Sequence, residues 1–284
     1  MRAKERLDRL LVDRGLVETR TRAQALIMAG KVRVDGGTVT KAGTPLSPDC
    51  RLEVADVPRW ASRGAHKLLR AFEAFPLKAE GRVCVDIGAS TGGFTDVLLD
   101  RGARRVYAVD VGYGQLHWRL ASDPRVVVRD RTNARNLAPN DFGDPIDLVV
   151  CDASFISLTL ILPAADAILS DDGSALFLVK PQFEAGRERL GRGGVVRDPA
   201  VHAAILRETT DFVARNTRLC TSGLTWSPIL GPEGNMEFLC WLTRGAEAPP
   251  IDIETLVEEA HSALHPRSDR TERAHSPSGG GLEK

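Results

Sequence analysis

No apolar run in this chain approaches the ~20 residues that a membrane-spanning helix needs. A helical membrane span is thereby excluded. The opening residues, MRAKERLDRL, are charged throughout and lack the apolar stretch of a secretory signal. A cytoplasmic, membrane-free protein is the expectation. Cysteine is sparse too. The five (Cys50, Cys84, Cys151, Cys220, Cys240) are odd in number and form no C-x-x-C pair. That excludes a disulfide framework and a cysteine zinc site, and four of them sit inside apolar runs. Buried reduced thiols are expected, and no metal. Net charge is also lacking, but its zero is uneven. Residues 1–59 carry 12 Lys/Arg against 8 Asp/Glu, residues 60–244 are balanced, and residues 245–284 carry 4 against 8. The basic N-terminal segment is a modest nucleic-acid signal.

What is present fits an ordinary soluble protein, and 284 residues leave room for two domains. Leu7, Leu10, Leu11 and Leu16 recur at helical spacing. Gly15 ends that helix. Thr19 caps a second, Arg20 to Ala29, and Gly30 stops it. The alternating run Lys31 to Asp35 then enters a Gly turn, with short strands to follow. The expected organisation is a small α+β unit over 1–59, a linker over 60–63, a main domain over 64–245 and a partly disordered tail over 246–284. A short helix is expected at 252–264 within that tail.

In the main domain a helix is expected over 65–75. Strands are expected at 82–87, 105–110, 125–129, 146–151, 174–180, 219–226 and 236–242. Helices are expected near 92–101, 113–121, 156–169 and 199–215. Strand–helix alternation predicts a doubly wound α/β fold with a parallel core. Only a turn joins the last two strands, so they should pair antiparallel at one edge of a seven-stranded sheet. That reversed terminal strand is the S-adenosylmethionine methyltransferase architecture.

Residues 86–93 read DIGASTGG after the apolar run Val83 to Val85. A strand, a Gly turn and a helix N-terminus form a ligand cradle. The pattern is not the dinucleotide G-x-G-x-x-G. An acid follows one βαβ step later, at Asp110, where it can hold ribose hydroxyls. The same turn also serves as a plain βα connection. Further polar residues fall at strand ends: Asp130, Asp152 and Lys180. Glu237 lies in an apolar strand, and Lys67 on the helix before the sheet. A lysine ending an apolar strand is costly unless it is paired or lines a cavity. Lys180 and Glu237 therefore form either a structural ion pair or part of a charged cluster around a reacting hydroxyl. Two neighbouring lysines depress each other's pKa, which lets one act as a base.

Two resemblances add to this reading. R-L-D-R-L-L at 6–11 and the pattern from Thr21 through Gly36 resemble the RNA-binding domain of ribosomal-protein-S-four type. That resemblance implies phosphate contacts by Arg6, Arg20, Arg22, Lys31 and Arg33. The ordered motifs S-R-G-A-H-K-L, D-I-G-A-S-T-G-G-F-T, C-D-A-S-F and V-K-P-Q-F-E over residues 5–244 resemble the TlyA-type ribosomal RNA 2′-O-methyltransferases of the FtsJ-like group, often labelled haemolysin.

The second resemblance implies S-adenosylmethionine as cofactor, held by Asp86, Gly88, Ala89, Ser90, Thr91, Gly92, Gly93, Phe94, Asp110 and Asp130. The resemblance also implies Phe155 at the cofactor, as the aromatic that flanks the methyl-transfer pocket. A catalytic Lys67–Asp152–Lys180–Glu237 tetrad is implied, acting in line on a cytidine 2′-hydroxyl of ribosomal RNA at the subunit interface. Ribosomal RNA or a ribosomal subunit is the implied partner, and a monomer is the expected state. A haemolytic pore-former is disfavoured, because no signal segment, membrane span or basic amphipathic helix is seen. A catalytically dead RNA-binding protein is disfavoured by the intact tetrad. A nicotinamide-dependent oxidoreductase is disfavoured by the turn pattern.

Overall fold

The computed structural model describes residues 4–55, 59–245 and 250–264. The N-terminal unit runs β1 (Glu5–Arg6), α1 (Leu7–Asp13), α2 (Arg20–Met28), β2 (Val32–Val34), β3 (Gly37–Thr38), β4 (Pro45–Leu46) and β5 (Leu52–Val54). Thr19 caps α2, its hydroxyl accepting the Arg22 N–H at 3.2 Å. Leu7 and Leu11 on α1 meet Ala23 and Ile27 on α2 over Val32. This i, i+4 spacing turns one apolar stripe of each helix inward. The small sheet has the order β3-β2-β5, and β1 pairs with β4.

The main unit runs α3 (Ala65–Ala74), β6 (Val83–Ile87), α4 (Gly93–Asp100), β7 (Arg105–Val109), α5 (Trp118–Ala121), β8 (Val126–Arg129), β9 (Ile146–Cys151), α6 (Leu162–Ile168), β10 (Leu169–Val179), α7 (Pro181–Glu184), α8 (Pro199–Asn216), β11 (Leu219–Trp226), β12 (Phe238–Arg244) and α9 (Ile253–Leu264). Its seven-stranded sheet has the order β11-β12-β10-β9-β6-β7-β8. β6 to β10 are parallel, and β12 is antiparallel to both its neighbours. The reversed strand thus lies one position in from the edge, not at the edge as the sequence suggested. Burial gives the reason. β12 is the more buried partner of the pair, with Phe238, Leu239, Cys240 and Leu242 all inside. It takes the covered position, and the more exposed β11 takes the rim.

The sheet has helices on both faces. Val83, Val85 and Ile87 face the core beneath α6, α8 and α9, while Cys84 faces α3 and α4. Alternation along a strand sends neighbours to opposite faces. Burial pushes the Cys84, Cys151 and Cys240 thiols up to about 12, and all five cysteines are free. The chain adds β7 and β8 on one side of β6 and β9 on the other, so the winding order reverses between β6 and β9, and their carboxyl ends open the crevice where such sheets bind ligands.

Three elements depart from expectation. The helix expected at 113–121 shrinks to the single turn α5. Gly114 at φ +64° and backbone bonds to the Asp110 and Asp130 carboxylates hold the preceding residues as a loop. The helix expected at 156–169 divides into a turn over Leu158–Leu160 and then α6, which has Pro163 in its first turn. The helix expected at 252–264 forms as α9, but it packs into the main unit and does not belong to a separate tail: Ile253, Val257 and Ala260 join the main core. The remainder of that tail, from 265 on, lies outside the described residues. Among the described residues, no helix is long and apolar enough to cross a membrane.

Candidate active site

Four charged side chains from four separate elements meet at the crevice. Lys67 comes from the first turn of α3, and Asp152 directly follows β9. Lys180 follows β10, where Pro181 stops the strand and opens α7. Glu237 precedes β12. Lys67 Nζ lies 2.7 Å from Glu237 Oε2 and 3.2 Å from Asp152 Oδ2. Lys180 Nζ lies 2.6 Å from Asp152 Oδ1 and donates to Ser154 Oγ at 2.8 Å. Asp152 therefore bridges the two ammonium groups. Both lysines and Glu237 are buried, while the Asp152 side chain keeps 19% exposure at the cavity wall.

Burial disfavours the Lys67 ammonium, but Asp152 and Glu237 outweigh it and raise its pKa above the ordinary value. The expected mutual depression of the two lysines does not prevail at Lys67. Burial raises the Glu237 carboxyl despite both lysines nearby. Gly231 makes room for this acid, since a Cβ there would come within 2.8 Å of Glu237 Oε1.

The tetrad lines a cavity of about 630 Å³ that also takes in Ala89, Ser90, Thr91, Gly93 and Phe94. A second cavity of about 350 Å³ continues from Gly88 past Asp110 to Thr132 and Asn133. Asp152, Ser154 and Phe155 line both. Gly88 has φ +78°, and a Cβ there would come within 3.0 Å of the Ala153 backbone. Only glycine lets the β6 and β9 ends approach this closely. Phe155 is 89% exposed and sits at φ +63°, beside Phe183 at 5.3 Å between ring centres. The exposed Phe155 ring thus sits at the rim of both cavities on a left-handed backbone.

The sequence profile of the FtsJ-like methyltransferases matches residues 60–244, and that of the S4 domain matches residues 5–50. The chain belongs to the FtsJ-like methyltransferase family. It is 50% identical to the 16S/23S rRNA (cytidine-2′-O)-methyltransferase TlyA of Mycobacterium tuberculosis, over 93% of this chain and 98% of that protein. It is 40% identical to Hemolysin A of Brachyspira hyodysenteriae, over 82% of this chain and 98% of that protein. A solved Streptococcus thermophilus structure titled as a hemolysin superimposes with a TM-score of 0.69 at 42% identity. It covers 92% of this chain and 97% of its own.

Within this FtsJ-like methyltransferase, three residues expected at the cofactor line neither cavity. Asp86 turns into α4, where its Oδ2 accepts the Thr95 N–H at 2.8 Å and the Thr95 hydroxyl at 2.7 Å. Gly92 has φ +97°, and a Cβ there would strike Leu120 at 2.3 Å and Leu116 at 2.7 Å, so its bare backbone makes space for leucines. Asp130 accepts the Gly114 N–H at 2.9 Å. Asp110 does line a cavity, and its Oδ2 accepts the Ser90 N–H at 2.8 Å.

Arg22, Lys31 and Arg33 are exposed on the N-terminal unit. Arg6 and Arg20 instead both bind Asp8. Sequence reasoning missed Ser154, although it lies inside the quoted C-D-A-S-F motif. It also missed Asn235, which is fully buried. Asn235 takes the Val196 N–H at 3.0 Å and donates to the Gly194 carbonyl at 3.2 Å, pinning the 191–196 loop beside Glu237. A buried amide in a turn two residues before the acid was its only signal. Among the described residues, no group of three His, Cys, Asp or Glu is placed to hold a metal ion.

Proposed function

We propose that the chain methylates the 2′-oxygen of a cytidine ribose in ribosomal RNA, at the subunit interface, with S-adenosylmethionine as donor. The observation that carries this reading is the alternating Glu237–Lys67–Asp152–Lys180 chain of contacts on the wall shared with the Gly88 turn. The relative named for cytidine-2′-O methylation supports the substrate.

Gly88, Ala89, Ser90, Thr91, Gly93 and Phe94 would hold the cofactor's amino-acid end, and Asp110 its ribose. The close β6–β9 approach and the two cavities with their shared lining fit such a group. When bound, it supplies a methyl group on a positively charged sulfur.

A neutral hydroxyl attacks poorly, so the residues must deprotonate and align it. Lys180, as the free amine, takes the 2′-hydroxyl proton at Nζ. Asp152 Oδ1 orients that amine. Lys67 remains an ammonium, as its raised pKa requires, and donates to the acceptor oxygen or a neighbouring phosphate. Glu237 holds Lys67 in place. Phe155 packs against the nucleotide at the rim. The N-terminal unit anchors the RNA through Arg22, Lys31 and Arg33, with Arg6 and Arg20 beside them. We read the chain as a monomer acting in the cytoplasm.

The test is mapping of ribose methylation in ribosomal RNA from cells with and without the gene. Loss of a cytidine 2′-O-methyl group is expected. An unchanged map overturns the reading.

A further inference from the structure

Asp8 lies on α1 within the R-L-D motif, and none of the chemistry above uses it. Its side chain is fully buried. What seals it from water is a cover of side chains, not depth in the core. Arg6 Nε donates to Oδ1 at 3.0 Å, and Arg6 Nη2 donates to Oδ2 at 3.0 Å. Arg20 Nη2 reaches Oδ2 at 3.1 Å, and Gln24 Nε2 reaches it at 2.9 Å. Arg20 and Gln24 lie one turn apart on α2, so a single helix face closes over the carboxylate. The Arg6 guanidinium holds the Asp8 carboxyl far below the usual carboxylate range.

Two guanidiniums bound to one carboxylate are forced close together. Alone they would repel, and each would sweep many rotamers. Here both are fixed, yet their side chains stay 53% and 56% exposed. Gly43 completes the seat, because a Cβ there would meet Arg6 Nη1 at 3.0 Å. The result is a fixed pair of arginine forks at the surface of the basic unit. That is the donor geometry suited to phosphate oxygens.

We propose that Asp8 is a positioning residue for RNA, holding Arg6 and Arg20 together as one clamp on the phosphate backbone. The proposal rests on the reading that the N-terminal unit binds ribosomal RNA. It makes a prediction opposite in sign to charge counting. Asp8→Asn removes one negative charge from the basic unit, so charge alone predicts tighter RNA binding. Loss of positioning predicts weaker binding.

The experiment measures binding of the full chain to purified ribosomal RNA across a salt series, with thermal unfolding recorded for each variant. Asp8→Asn is expected to weaken binding about tenfold at ~0.1 M salt and to flatten the log–log salt slope by roughly 0.7–0.9 per lost phosphate contact. In methylation assays the effect should fall on KM for RNA and not on kcat. Arg6→Lys keeps the charge but loses the fork, and it should weaken binding too. If Asp8→Asn unfolds the N-terminal unit, Arg6→Lys decides alone, and wild-type affinity there overturns the proposal. In a folded Asp8→Asn variant, equal or tighter binding overturns it. Arg22→Glu separates the two levels. If it weakens binding while Asp8→Asn does not, only the positioning role fails. If neither changes binding, the RNA-binding reading fails with it.

Discussion

Replacing Lys67 with Met should destabilise the protein far more than replacing Lys180 with Met, although both should stop methyl transfer. Lys67 holds Glu237 at 2.7 Å, and that acid is only 1% exposed. Removing the ammonium strands a buried carboxylate. Breaking such a pair from one side costs about 3–5 kcal/mol. Lys180 instead contacts Asp152, which keeps solvent access and its second partner Lys67 at 3.2 Å. Its removal costs about 2 kcal/mol, the scale of one hydrogen bond to a charged group. Lys67→Met should therefore lower Tm by roughly 6–20 °C, at about 2–4 °C per kcal/mol for a domain of this size.

Acidity adds a second signature. Burial already raises the Glu237 carboxyl above its ordinary value, and losing Lys67 raises it further. A carboxyl raised in the folded state carries no penalty at low pH. The penalty grows as pH climbs above the unfolded value of about 4.3. The Lys67→Met deficit should thus be large at pH 8 and shrink toward pH 5. Adding Glu237→Gln should recover part of it at pH 8. Denaturant titrations of the three variants at both pH values provide the test. Equal stability of Lys67→Met and Lys180→Met at pH 8, or no rescue by Glu237→Gln, would refute the reasoning.

Asp86 is fully buried, and burial pushes its carboxyl up to about 7. Wild-type stability should fall between about pH 4 and 7 as this group ionises, so the Tm of Asp86→Asn relative to wild type should climb across that range. A constant gap contradicts it. Gly88→Ala would force a Cβ to 3.0 Å from the Ala153 backbone at φ +78°. Calorimetry should show weakened S-adenosylmethionine binding, and wild-type affinity would exclude the assigned cradle. Phe155→Gly should gain about 1 kcal/mol by relieving left-handed strain and still lose turnover. Undiminished turnover would remove Phe155 from the site.

The core strands were legible because Val-rich runs end at glycines and acids, and α4 and α8 between them announce their apolar spacing. The Gly88 turn was legible for the same local reason. The position of β12 was not, since it depends on pairing Ser174 to Val179 against residues more than fifty positions away. The loop before α5 escaped because it is held by Asp110 and Asp130 side chains on backbone N–H groups, a capping invisible to periodicity. Gly92 was read as ligand space, whereas its contacts are Leu116 and Leu120 across a turn. The residue types of the tetrad stood out as charges at strand ends. Their alternation through Asp152 required three-dimensional contact between positions 67, 152, 180 and 237.

The most direct measurement is methyl transfer from labelled S-adenosylmethionine to ribosomal RNA by purified wild type, Lys180→Ala and Lys180→Arg, alongside calorimetry of cofactor binding. On the proposed reading Lys180 meets the acceptor and not the cofactor, so both variants should bind cofactor as wild type does. Both should fail to transfer, because alanine has no base and a guanidinium stays protonated. Transfer by Lys180→Arg at near the wild-type rate would contradict the assignment of Lys180 as the group that takes the 2′-hydroxyl proton.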